Sequence, residues 1–109
     1  MALYKIQANL NAELGFFDSA IKNYKAASIL EPNSSEIYYN LGVILQNQGK
    51  LREAIGSYRE AVANDPNHAD AYYNMGNAFQ MQANPIEALE SYNKAIAFKP
   101  DFYEAYYNM

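Results

Sequence analysis

The sequence predicts an all-α solenoid of antiparallel helix pairs, built from three 34-residue repeats plus a partial fourth. Three observations carry that expectation. The pentapeptide Ala-Tyr-Tyr-Asn-Met stands at Ala71–Met75 and again at Ala105–Met109, 34 residues on. Five columns keep the same offset: Tyr4, Tyr38, Tyr72 and Tyr106; Ala20, Ala54 and Ala88; Tyr24, Tyr58 and Tyr92; Ala27, Ala61 and Ala95; Pro32, Pro66 and Pro100. Within each unit, apolar residues follow helical spacing twice, and a breaker closes each stripe. A fixed period of this size marks a repeat architecture whose units bury their apolar faces only against neighbours.

The elements follow in order. The first unit, 1–34, predicts helices near 3–14 and 18–30, with Gly15 between them. In the second, 35–68, Tyr38, Leu41, Gly42 and Leu45 fall at i, i+3, i+4 and i+7, the stripe of an amphipathic helix near 37–48. Gly49 stops it, because glycine enters the left-handed conformation cheaply. Ala54, Ile55, Tyr58, Ala61 and Val62 form the next stripe, near 52–64, until Asp65-Pro66-Asn67 breaks it. The third unit, 69–102, predicts helices near 71–82 and 85–98. There Ala83 replaces the stop glycine, and Asn84-Pro85 opens the second helix as a cap and a preorganised first turn, which reads as a different turn. A fourth unit begins near residue 102, and only 103–109 belong to it. Gly42 and Gly76, with Ala8 in the first unit, are expected beside Ala54 and Ala88, letting paired helices approach closely.

Composition narrows the function. Half of the 109 residues are apolar, which argues against disorder. The net charge of −4, with no basic cluster, argues against nucleic acid as a partner. No apolar run is long enough for a membrane span, and the first residues carry no secretory segment. Cysteine is absent, so no disulfide framework or thiolate metal site is expected. The default reading is an intracellular, cytoplasmic module.

The columns Tyr38, Leu41-Gly42, Leu45, Ala54, Tyr58, Ala61 and Pro66 resemble the tetratricopeptide repeat, with Tyr in place of the family's usual Trp near the start. The third unit repeats them as Tyr72, Met75-Gly76, Phe79, Ala88, Tyr92, Ala95 and Pro100. The first matches more loosely, with Gln7-Ala8 for Leu-Gly and Asn11 at the place of a large apolar residue. The resemblance implies a right-handed superhelix whose first helices line a concave groove. It also implies an interaction scaffold that holds an extended peptide or a partner's helix, with no enzymatic activity and no cofactor.

Function then attaches to the groove. Asn40, Asn74 and Asn108 recur once per unit on the face away from Leu41 and Leu45, and Asn9 and Asn77 lie near that face one turn along. An Asn amide offers donor and acceptor together, so it can grip a peptide backbone bidentately. Helices roughly 10 Å apart and a peptide rising about 3.3 Å per residue put one Asn at about every third residue. The ladder is similar to that of the repeat region of O-linked N-acetylglucosamine transferase. The alternative is that each Asn bonds to its neighbour in the adjacent unit. Tyr39, Tyr73 and Tyr107 form a second column, as binding anchors or as inter-unit packing, and Gln46 and Gln80 add polar contacts deeper in the groove.

A further resemblance is to the carboxylate clamp of co-chaperone repeats. Lys5, Asn9 and Asn40 match three of its positions, but Asp70 and Asn74 stand where that clamp needs cations, and Asp70 would repel a carboxylate.

His68 sits in an inter-repeat turn with no second metal ligand near it, which reads as a solvated residue. Glu53, Glu87 and Glu90 read as a solvated face of the second helices. No nucleophile–base set, phosphate loop or paired-carboxylate cleft stands out. The last full unit is expected to expose an apolar face near Tyr92, Ile96 and Phe98, which favours self-association at that end. Two other readings compete with the scaffold: the substrate-recognition arm of a larger enzyme such as a glycosyltransferase, and a repeat module that mainly assembles with itself.

Overall fold

The structure, a computed structural model, describes residues 2–109; Met1, the first residue of the first repeat, lies outside them. Seven helices and no strand occur among the described residues: α1 (Ala2–Glu13), α2 (Phe17–Leu30), α3 (Ser35–Asn47), α4 (Leu51–Asn64), α5 (Ala69–Met81), α6 (Pro85–Phe98) and α7 (Tyr103–Asn108). They pack as the hairpins α1–α2, α3–α4 and α5–α6, with α2 against α3, α4 against α5, and α7 against α6. Every predicted helix is present, with ends within two residues of those expected. The stack is elongated, 36 × 24 × 20 Å.

The alanine and tyrosine columns of the second helices make the core. Ala20, Tyr24 and Ala27 of α2, Ala54, Tyr58 and Ala61 of α4, and Ala88, Tyr92 and Ala95 of α6 are all buried. Their spacing of three to four residues puts each trio on one face of its helix. The first helices answer with Leu41 and Leu45 on α3 and Met75 and Phe79 on α5.

The close approach at the glycines differs from the expectation. A Cβ added at Gly42 would lie 2.6 Å from the Tyr58 ring, and one at Gly76 2.7 Å from the Tyr92 ring. Glycine is needed there to seat the partner helix's tyrosine, not to bring Ala54 or Ala88 against it. These tyrosines therefore fill space inside their own hairpin. In the first unit the same position is the buried Ala8.

The hairpin turns also correct the sequence reading. Gly15 and Gly49 have φ of +80° and +77°, and Ala83 follows them at +60°. The hydrogen bonds match as well: Lys50 N–H reaches Leu45 O and Asn84 N–H reaches Phe79 O, both at 2.9 Å. Ala83 thus makes the same left-handed turn as the glycines, held by the six-to-one bond that closes a helix. Asn84 precedes α6 without a side-chain capping bond, while Pro85 takes the first helical turn as expected.

A candidate peptide groove

The asparagine column lies on successive first helices, and all three members are half-buried. Asn74 donates through Nδ2 to the hydroxyl of Tyr39 at 3.0 Å, and Asn108 to that of Tyr73 at 2.8 Å. Each bond joins one unit to the next. One N–H of each amide is therefore spent on the neighbouring unit, as the alternative reading of this column holds, while the Oδ1 acceptors of Asn74 and Asn108 take no bond from within the protein among the described residues. Asn40 differs because Lys5 occupies the position of its tyrosine partner, 35 residues back. Its amide makes no hydrogen bond among the described residues, so both of its functions remain open.

Asn9 and Asn77 serve the hairpins. The Tyr24 hydroxyl donates to Asn9 Oδ1 and the Tyr92 hydroxyl to Asn77 Oδ1. Asn77 Oδ1 also accepts from Asn108 Nδ2 at 3.4 Å. In the middle unit Val43 stands at that position, and the Tyr58 hydroxyl turns instead to Gln46 Oε1, at 2.7 Å. Gln46 Nε2 contacts Met81 Sδ at 3.6 Å, and the exposed Gln80 donates to the Asn108 carbonyl at 2.6 Å. Lys5 is half-buried on α1. The ten candidate residues thus fall on the first helices, and seven of them make two hydrogen-bonded layers: an inter-unit layer of Tyr39, Tyr73, Asn74 and Asn108, and an intra-hairpin layer of Asn9, Asn77 and Gln46.

The tyrosine column is locked from two sides. Tyr39 lies 6.1 Å from the Tyr58 ring and 4.8 Å from His68, and Tyr73 6.0 Å from Tyr92 and 4.7 Å from Phe102. Tyr107, with no such cover, is 91% exposed. His68 is accordingly not a solvated turn residue. It is half-buried, stacks on Tyr39, and accepts the Ala71 N–H through Nδ1 at 3.2 Å as the cap of α5. The role of the column Ser34, His68 and Phe102 was missed in the sequence, although its 34-residue spacing was visible; Ser34 caps α3 in the same way. Glu53, Glu87 and Glu90 are exposed, as expected.

Burial sets the electrostatics of these phenols. Tyr58 is raised above the ordinary range by desolvation, with a smaller push from Tyr39. Tyr92 is pushed up to about 12 by desolvation and then by Tyr73. Tyr39 is raised by burial and by Asp70, partly offset by the Asn74 donor, and Tyr24 by burial and Glu36. All four keep their protons near neutral pH, so each hydroxyl can donate and accept at once. Among the described residues, no group of His, Asp or Glu side chains could hold a metal ion, and no helix is long and apolar enough to cross a membrane.

Stacked hairpins with a polar, regularly spaced row along their first helices define a helical-repeat protein. The chain belongs to the tetratricopeptide repeat family: a profile described as TPR repeat matches residues 8–49 and 47–82, and one described as Tetratricopeptide repeat matches residues 69–102. The structure is similar to that of YrrB, described as a TPR protein with an unusual peptide-binding site, at 31% identity and a TM-score of 0.93 over 98% of this chain and 55% of that one. It is similar to MamA at 31% identity and a TM-score of 0.87, covering 91% of this chain and 58% of that one. This chain therefore spans a little over half the length of either protein. The first TPR of Spaghetti (RPAP3), solved bound to the HSP90 peptide SRMEEVD, shares the fold at 22% identity, with a TM-score of 0.94 over 98% of this chain and 85% of that one. No curated protein matches the sequence.

Proposed function

We propose that this chain is a protein-interaction scaffold that holds an extended peptide along its first helices, gripped by the asparagine column. The observation that carries this reading is the orientation of the asparagines. With the donor of Asn74 and Asn108 tied to a tyrosine hydroxyl, the acceptor is held in place by the fold and left without a protein partner. A row of fixed acceptors at a regular repeat suits the backbone N–H groups of an extended chain and is indifferent to its side chains. Fixing the amide before binding also removes part of the ordering cost of association. YrrB and the Spaghetti repeat, whose structures are described with a peptide site and a bound peptide, support the same class of ligand. Partners that are other copies of the chain belong to this scaffold reading too, but they concern the ends of the stack.

Asn40 gives the cleanest test, because no internal bond is lost when it is truncated. An array of unrelated extended peptides is probed with the wild type and with Asn40→Ala. Loss of one bond of about 1–1.5 kcal/mol weakens binding about tenfold. The expected result is a similar weakening for every peptide bound, at an unchanged melting temperature. Equal binding by both proteins removes the asparagine reading and leaves the fold untouched.

A further inference from the structure

Gly56 is the glycine whose place the fold does not explain. Gly42 and Gly76 seat tyrosine rings and Gly15 and Gly49 hold left-handed turns, whereas a Cβ added at Gly56 would meet nothing within 4 Å. It is exposed and lies inside α4, where glycine weakens a helix relative to every residue but proline. The repeat does not require it either, since the same column holds Lys22 in the first unit and Glu90 in the third. A local rule broken with no gain in packing points to a use outside the fold.

Beside Gly56 the structure opens a notch of about 410 Å³, lined by Arg52, Ile55 and Arg59 of α4, by Phe79 of α5, and by Gln82 in the turn that follows. Arg52, Gly56 and Arg59 stand at i, i+4 and i+7 on one helical face. The arginines are therefore about 10.5 Å apart along the axis, with the glycine between them. Both are exposed, and among the described residues neither guanidinium has an ion-pair partner. Arg59 lies over the Phe79 ring, 5.9 Å from its centroid. Gln82 accepts from Asn84 through Oε1 at 3.4 Å, which leaves its own amide donors unused within the protein. No carboxylate lines the notch; Glu87 and Glu90 line the adjoining cavity, which shares Arg59 and Phe79 with it.

We propose that this notch binds an acidic side chain of a partner protein. The carboxylate lies between Arg52 and Arg59, its apolar neighbours rest on Ile55 and Phe79, and the partner's backbone comes close to α4 where Gly56 has no side chain. The chemistry selects a polypeptide over a free ion. Exposed guanidiniums hold an isolated carboxylate weakly, because water and salt compete for both. An acidic residue carried on a chain adds apolar burial, and glycine is the residue that lets a ligand approach the backbone closely. Glu87 and Glu90 repel the same carboxylate from the adjoining cavity and hold it to the Gly56 end. The notch is built entirely from residues 52–82, inside the stack. It is separate from the asparagine row and does not rest on the groove reading.

Amide proton–nitrogen spectra of the full chain test this by titration with three probes: acetyl-Leu-Glu-Phe-amide, its neutral isostere acetyl-Leu-Gln-Phe-amide, and sodium acetate. The Glu peptide is expected to give saturable shifts at the amides of Gly56, Phe79 and Gln82, with about tenfold tighter binding than either control. Arg52→Gln/Arg59→Gln is expected to reduce the Glu peptide to the level of the Gln peptide. Gly56→Leu is expected to block both peptides while melting at a higher temperature than wild type, because it removes a helix-weakening residue. All three positions are exposed, so both variants should keep the helical fold. Equal binding of the two peptides overturns the proposal, as does an absence of saturable shifts at millimolar peptide. Acetate binding as tightly as the Glu peptide also overturns it, by showing a site for free ions. A lower melting temperature for Gly56→Leu would mean that the glycine serves the fold. Shifts centred on Asn40 and Asn74 instead of Gly56 would remove the notch and leave the groove standing.

Discussion

Single residues decide how closely the hairpins close. At Gly42 the ring of Tyr58 leaves no room for a side chain, since a Cβ would sit 2.6 Å from it. Gly42→Ala must push a fully buried ring aside and is expected to destabilise by about 1–3 kcal/mol, read from urea unfolding. The opposite outcome is expected at Ala83, where an L-residue holds φ of +60°. Left-handed backbone costs a non-glycine residue about 1–2 kcal/mol, and glycine gives back part of that through its greater freedom in the unfolded chain. Ala83→Gly is therefore expected to stabilise by about 0.5–1 kcal/mol in the same assay. A loss of stability there would show that the turn is not held as described.

At the scale of the element, each second helix depends on one buried tyrosine. Tyr58→Ala is expected to leave a void that costs about 3–5 kcal/mol. Ala54→Leu, at a fully buried column alanine, should overpack at about 1–3 kcal/mol. Both are read as shifts in the thermal midpoint. The hydroxyls add a dependence on alkali. Below pH 10 the tyrosines are protonated in folded and unfolded chains alike, so their contribution does not vary with pH. Above 10.0, their ordinary value, the unfolded chain releases protons that Tyr92 keeps until about 12 and that Tyr58, Tyr24 and Tyr39 also retain. Stability must fall as pH rises through that window. Tyr58→Phe gives up the bond to Gln46, about 1 kcal/mol, and should make the alkaline fall shallower. A fall as steep as that of the wild type would remove Tyr58 from the account.

At the scale of the whole molecule, stability is shared between neighbours. The hairpin α3–α4 packs on both sides, against α2 and against α5, while α1 packs chiefly on α2, and the short α7 rests on α6 with hydrogen bonds to α5. In such a stack each unit's stability is its own plus its interfaces. Hydrogen exchange is expected to find the most protected amides in α3 and α4, and the earliest opening in α1 and α7. Uniform protection along the chain would mean that the units do not contribute in this additive way. The inter-unit bonds from Tyr39 to Asn74 and from Tyr73 to Asn108 belong to the same economy of neighbours, since each ties one first helix to the next.

Much of this was legible in the sequence because periodicity is a local record of packing. A helix repeats every 3.6 residues and a unit every 34, so Ala54, Tyr58 and Ala61 declare a buried face before any fold is known. The breakers at Gly15, Gly49 and Pro66 set the helix ends within two residues. Contacts between elements were not legible. That Gly42 yields to Tyr58 and not to Ala54 depends on how two helices lean together. That His68 caps α5 and covers Tyr39 depends on where the chain re-enters after a turn. The asparagine column was visible as a column, but which of its polar atoms are spent inside the protein depended on tyrosines 35 residues away. By itself the sequence determined an all-helical stack of hairpins and the faces that each helix buries, because both follow from spacing along one chain. Only the tertiary structure decided which side chains meet across helices and which hydrogen-bonding groups are left without a partner, because each of these is set by distances between segments that the chain's own order does not encode.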